Sequence, residues 1–239
     1  MKRKGSGVKP KATVDAKKVI YSREHWELLT ALRQQARELM ELLQRENISS
    51  LVYGSVCRGD VNKTSDIDVF IPYQVSSFLI ELAVEKAGYN IYGKKIVQAT
   101  PKHVVKGEIM LKEDISITFP LTSLREREFD FIRFGGSLSL EELQKNKRVP
   151  GVDKRLVLIE PIEKGHWESQ VLGFESLVAR KVGVDVELVK ERVRILTTRD
   201  KKGRTGVYLK RELGCDESIE AVFKELKDSD PIVRRRSNN

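Results

Sequence analysis

Residues 51–70 constrain this chain more than any other stretch. Leu51-Val52-Tyr53 is an apolar strand ending in Gly54-Ser55, and ten residues after Ser55 the run Ser65-Asp66-Ile67-Asp68 sets two carboxylates one residue apart. Strand alternation puts Asp66 and Asp68 on one face, with Ile67, Val69 and Ile71 on the other. Two acids that close repel each other and are poor neighbours in a sheet. A divalent cation removes the conflict, because Mg²⁺ takes hard oxygen ligands and commonly holds nucleotide phosphates on its open positions. The pattern points to a nucleotide-handling site for Mg²⁺ or Mn²⁺.

Taken singly, Gly-Ser after a strand is a turn and Asp-Ile-Asp an edge strand. Taken in order and in strand context, with Arg58-Gly59 between them, they resemble the polymerase-beta-type nucleotidyltransferase superfamily. That superfamily includes CCA-adding enzymes, poly(A) polymerases and small antibiotic or toxin–antitoxin nucleotidyltransferases. Over about residues 45–120 the resemblance implies an α+β nucleotidyltransferase fold, a mixed sheet with helices. It also implies NTP as substrate, with Gly54 and Ser55 at the triphosphate. Glycine lets the backbone approach, and N–H groups with the Ser55 hydroxyl donate to anionic oxygens. Asp66 and Asp68 would ligate the metals, Ser65 would orient the loop, and Arg58 would contact phosphate or substrate.

Activity in that superfamily implies a third carboxylate on a neighbouring strand. Lys106–Pro120 reads as a hairpin whose second strand alternates, with Ile115, Ile117 and Phe119 facing one way and Asp114, Ser116 and Thr118 the other. Asp114 is the candidate third carboxylate, to complete metal binding or act as base. An alignment on the apolar pattern puts Ser116 there instead, which would leave two acids. A complete site would run a two-metal, in-line displacement that moves a nucleoside monophosphate from an NTP to a hydroxyl acceptor, an RNA end or a protein.

The chain has 239 residues, net charge +9, 40% hydrophobic and 33% charged residues, which fits a soluble globular protein of one or two domains. Cys57 and Cys215 offer no disulfide framework or metal cluster. No apolar run reaches the ~20 residues that span a bilayer, and the basic N-terminus lacks a signal-peptide core. The expectation is a cytoplasmic protein without a membrane partner.

Five segments are expected. Residues 1–18 form a disordered basic arm, 19–135 the nucleotidyltransferase domain, 136–160 a connector, 161–230 a winged-helix-like domain and 231–239 a basic tail. Ser22 caps a helix bearing Trp26, Leu29, Leu32, Ala36, Leu39, Met40 and Leu43, ended at Asn47. A second helix spans 76–87, and strands are expected over Ile91–Ala99, Phe129–Phe134 and Leu156–Ile159. Ser139 and Glu142 form a capping box.

Trp167–Val182 and Asp185–Leu196 read as two helices with Gly183 at the turn, resembling a helix-turn-helix. Thr197–Leu209 then resembles the hairpin of a winged helix. Residues 190–211 hold nine Lys or Arg against Glu191 and Asp200. Lys190, Arg194, Arg199, Lys201, Lys202 and Arg204 are therefore the candidate contacts to RNA or DNA. His25, His103 and His166 are isolated and read as structural or surface residues. Two functions stand at this point. One is an NTP-using transferase; the other is a noncatalytic nucleotide sensor or antitoxin-like winged-helix protein with a nucleic-acid or protein partner.

Overall fold

Ser22 opens the first helix as its sequence context requires. Its hydroxyl accepts from the His25 N–H, which satisfies one of the N–H groups that a helix start leaves without a partner. The computed structural model describes residues 16–203 and 206–238. Strand β1 (Lys17–Ile20) precedes helix α1 (Arg23–Arg45), which stops before Asn47 at φ +59°. Then come β2 (Leu51–Tyr53), the one-turn helix α2 (Ser55–Arg58), β3 (Ile67–Phe70) and α3 (Ser77–Lys86). Strands β4 (Gly93–Gln98), β5 (Val105–Met110) and β6 (Ile115–Pro120) follow, then α4 (Glu126–Phe134). The chain continues through β7 (Ser137–Ser139), α5 (Leu140–Gln144), β8 (Gly151–Val152), β9 (Val157–Ile162) and β10 (Gly165–Gln170). It closes with α6 (Glu175–Val182), α7 (Val186–Lys202), β11 (Leu209–Leu213), α8 (Ile219–Ser229) and α9 (Pro231–Ser237).

Two sheets organise these elements. The larger runs β11-β4-β5-β6-β3-β2-β7 and is mixed, since β3 and β6 are parallel and its other pairs antiparallel. One face is apolar: Val52, Ile67, Val69, Ile109 and Ile117 are buried in one core with Leu39, Met40 and Leu43 of α1. The opposite face carries Tyr53, Asp68, Ser116 and Glu108, all half-buried. Alternation thus sends aliphatics into the core and the polar set toward the surface that carries the site. The smaller sheet, β1-β10-β9-β8, is antiparallel and lies in the region of a second core, where Val152, Leu156, Leu158 and Phe134 meet Val178 and Val189.

Most of the expected elements form, and five expectations need correcting. Lys17 and Lys18 are not in a free arm: they pair with Glu168 and Trp167 of β10, while residues 1–15 lie outside the described residues. Phe129–Phe134 is helix, because charges at 126, 127, 128, 130 and 133 break the alternation while Ile132 and Phe134 turn inward with helical neighbours. Trp167 belongs to a strand, with His166 and Glu168 buried and Trp167 exposed between them, and the second helix starts only at Glu175.

The wing does not form. Helix α7 continues through Thr197 to Lys202; of the expected return strand 205–209, residue 205 lies outside the described residues and only Leu209 is in a strand, β11, which joins the edge of the large sheet by pairing with β4. Two helices, α6 and α7, do flank Gly183, which sits at φ +70° between them. Finally, 231–239 is not a free tail. Asp230 caps α9, and Val233 is fully buried in the main core together with Ile219 and Val222 of α8. The chain from 209 onward therefore returns to the large sheet, and the connector 136–160 itself contributes β7 to that sheet.

Among the described residues no helix is long and apolar enough to cross a membrane. The two cysteines differ sharply. Cys57 is buried, donates to the Val52 carbonyl at 3.0 Å, and burial pushes its thiol up to about 12; Cys215 is exposed. A maleimide titration of the native protein at pH 8 should label one thiol per chain, and two after denaturation.

Candidate active site

Gly54 ends β2 at φ +95°, ψ −148°, a conformation essentially confined to glycine. Its N–H donates to the Gly136 carbonyl at 2.9 Å, and no atom lies within 4 Å of where a Cβ would stand. The backbone angle, not crowding, therefore demands glycine. Gly54→Ala should strain the turn by about 1–3 kcal/mol, read as that loss of stability in urea unfolding while far-UV circular dichroism stays unchanged. Ser55 follows at the start of α2, where N–H groups have no helical acceptor. Its hydroxyl donates to the Ser65 hydroxyl at 3.2 Å, and Ser65 accepts from the Asn62 N–H at 2.9 Å. Asn62 in turn accepts from the N–H and hydroxyl of Thr64, which fixes the loop leading into β3.

Arg58 is engaged within the protein. Its side chain is buried and makes a two-point pair with Asp60 at 2.9 and 3.0 Å, while its third nitrogen donates to the Gly135 carbonyl at 2.5 Å. It lines the cleft and also braces the loop after α2 against the end of α4.

Asp66 and Asp68 come together as the alternation requires. Asp68 lies opposite Tyr53 on β2 and opposite Ser116 on β6. Ser116 donates to Asp68 Oδ1 at 2.9 Å. Burial, and secondarily the Asp66 charge, hold the Asp68 carboxyl above its usual range, against the Ser116 hydrogen bond and the Lys154 charge. Burial, Asp68 and other nearby acids push the Tyr53 phenol up in the same way. Neither aspartate has a salt-bridge partner among the described residues, so the pair fits a cation.

Asp114 is not gathered with them. It is exposed in the β5–β6 connection, its main-chain carbonyl accepts from the Ile67 N–H at 2.7 Å, and its side chain does not line the cleft. Among the described residues no group of three or more His, Cys, Asp or Glu side chains is placed to hold a metal ion. Ser116 therefore occupies the position beside Asp68, because parallel pairing sets residue 68 against residue 116 and leaves residue 114 at the turn.

Gly54, Ser55, Ser65, Asp66 and Asp68 all face one open cleft with a volume of about 610 Å³, within the range that accepts a nucleotide-sized ligand. Its other walls come from residues the sequence did not single out. The β8–β9 turn contributes Lys154 and Arg155, α4 contributes Phe131, α7 contributes Arg192, and β10 contributes His166 and Glu168. Arg192 lies over the Phe131 ring at 4.7 Å, and burial, then the Arg199 charge, lower its guanidinium to about 10. Arg155 reaches Glu168 at 2.6 Å and Asp153 at 2.5 Å. Buried His166 shares a 2.7 Å hydrogen bond with the Tyr21 hydroxyl through Nδ1, and burial lowers its pKa. His25 also lines the cleft, so two of the three histidines set aside on sequence grounds belong to its walls.

The expected nucleic-acid contacts divide. Lys190 is tied to Glu187 at 2.7 Å, Arg194 and Arg199 are exposed, and Arg204 and the side chains of Lys201 and Lys202 lie outside the described residues.

A family model described as a nucleotidyltransferase domain matches residues 32–171, more than half of the chain. The chain belongs to this family. The match takes in the Gly54–Ser55 turn, the two aspartates, β6 with Ser116, and the strands that bring Lys154 and His166 to the cleft. No curated protein matches the chain significantly. Solved structures similar to parts of this chain include a cytoplasmic RNA terminal U-transferase, at 19% identity and TM-score 0.26 over 42% of this chain and 29% of that one. Another is Cid1, described for its RNA terminal uridylyl transferase activity, at 17% identity and TM-score 0.28 over 48% of this chain and 33% of that one. A third is the GLD-2/RNP-8 complex, at 20% identity and TM-score 0.25 over 43% of this chain and 42% of that one. The chain thus spans less than half the length of the structures it matches.

Proposed function

We propose that this nucleotidyltransferase moves a nucleoside monophosphate from an NTP to a hydroxyl of a nucleic acid, with RNA the favoured acceptor. The observation that carries this is convergence: the glycine-only turn with its serine and the two unpaired aspartates open onto the same cleft. Asp66 and Asp68 would hold Mg²⁺ or Mn²⁺, as their uncompensated, partly desolvated charge suits. When bound, the ion neutralises the triphosphate. The chain's own residues do the rest by position and charge. The Gly54–Ser55 turn presents N–H groups and a hydroxyl to phosphate oxygens. Lys154 adds positive charge that acts on Asp68, and Arg192 adds it from α7, where it lies over the Phe131 ring. The net charge of +9, with Arg194 and Arg199 exposed on α7, supports a polyanionic acceptor.

The test incubates pure protein with Mg²⁺ or Mn²⁺, labelled NTPs and a pool of RNA, DNA and protein. Labelled RNA is expected, with a yield that falls as salt rises. Bound but untransferred nucleotide would select a sensor, and labelled protein a different acceptor. Absence of both binding and transfer would remove the reading.

A further inference from the structure

We propose that this cleft takes up a single divalent cation with its nucleotide, because Ser116 stands where a second ion would need a carboxylate and Lys154 already supplies positive charge there. The proposal deepens the nucleotide-transfer reading and rests on it.

The parallel register of β3 and β6 fixes Ser116 beside Asp68, and the 2.9 Å hydrogen bond shows the two side chains in contact. A hydroxyl is a neutral oxygen. Two-metal sites hold their ions ~3.5–4 Å apart; the nucleotide's phosphates supply oxygens and negative charge to an ion seated on them, so a second ion depends on protein carboxylates, and beside Ser116 those are Asp66 and Asp68. The next strand brings no relief. Met110 lies opposite Ser116 on β5, and Glu108, the nearest acid along that strand, is held by Lys95 at 2.5 Å. Asp114 stays exposed at the turn.

Positive charge is already built into this side of the sheet. Lys154 lines the cleft and attracts Asp68, and half-buried Lys106 is attracted by the same carboxylate. One ion between the aspartates satisfies their charge. A second would find the Ser116 hydroxyl where it needs a further carboxylate, with Lys154 on the same cleft wall, and like charges at short range in a partly desolvated cleft repel strongly.

The experiment counts Mn²⁺ by electron paramagnetic resonance on the full-length protein saturated with a non-hydrolysable NTP analogue. Wild type is expected to bind one Mn²⁺ per chain, Ser116→Ala one, and Ser116→Asp two. Two ions on wild type would overturn the single-ion assignment while leaving nucleotide transfer standing. Neither ion nor analogue on wild type would remove both. A folded Ser116→Asp that still binds one ion would overturn the role given to Ser116. If that variant fails to fold by circular dichroism, the wild-type count decides alone.

Discussion

Asp66→Ala combined with Asp68→Ala abolishes Mg²⁺-dependent NTP binding and leaves the fold in place. Removing the two carboxylates takes away the two acids of the cleft that no arginine or lysine pairs among the described residues, so affinity measured by calorimetry should fall by at least ~100-fold, at the upper end of what a lost outer partner of a metal site costs. The fold should not suffer, because the apolar side of β3, with Ile67, Val69 and Ile71, is untouched. The milder Asp68→Asn sharpens the prediction. Asparagine keeps an oxygen for the Ser116 hydroxyl while removing a charge that burial opposes. Metal-free Asp68→Asn should therefore be more stable than wild type by about 1 kcal/mol, or roughly 2–4 °C in Tm for a chain of this size.

The pH dependence of that difference follows from the direction of the shift. The folded Asp68 carboxyl has a raised pKa, so the folded state holds this proton more tightly than the unfolded state does. Stability from this group is present below the unfolded carboxyl range and is lost as pH rises through the folded value. The gain from Asp68→Asn should thus be largest at neutral pH and shrink on acidification. Thermal melts at several pH values without metal check it. Unchanged Mg²⁺–nucleotide affinity in the double alanine variant would sink the site.

Strand alternation made the centre of this site legible. Gly54, Ser55, Asp66 and Asp68 need only a two-residue period and a turn to be placed, and both are local properties. The Asp114–Ser116 choice was open because it depends on register between β3 and β6. Those strands lie nearly fifty positions apart in the chain, and nothing within either one states which residue meets Asp68. The remaining walls were invisible for a related reason. Phe131 lies on a segment whose aromatics mimic a strand, and His166 and Glu168 on one whose apolar content mimics a helix. Burial by distant partners overrode both local patterns. The wing failed likewise: basic residues and a turn suggested a hairpin, but the edge of β4 was a better partner for β11 than a neighbour in sequence.

The same long-range logic governs the C-terminus, where a run of arginines resembled a solvated tail. Arg236 is only 3% exposed and donates to Glu128 at 2.9 Å and to the Ser123 carbonyl at 2.7 Å. Glu128 also accepts from the Val104 N–H at 2.5 Å and the Arg125 N–H at 3.0 Å, so one carboxylate joins α9, the start of α4 and the segment before β5. Removing one partner of a buried pair strands the other, which costs ~3–5 kcal/mol. Arg236→Ala should therefore lower stability by that amount in urea unfolding, and Glu128→Ala by as much or more, since it frees two N–H groups besides. The double variant should lose less than the sum, because both single changes break the same contact. Arg235→Ala, on an exposed neighbour, should change stability by no more than ~0.5 kcal/mol. Equal, near-zero effects at 235 and 236 would mean that α9 does not dock, and that β11 and α8 hold the C-terminal return to the sheet without it.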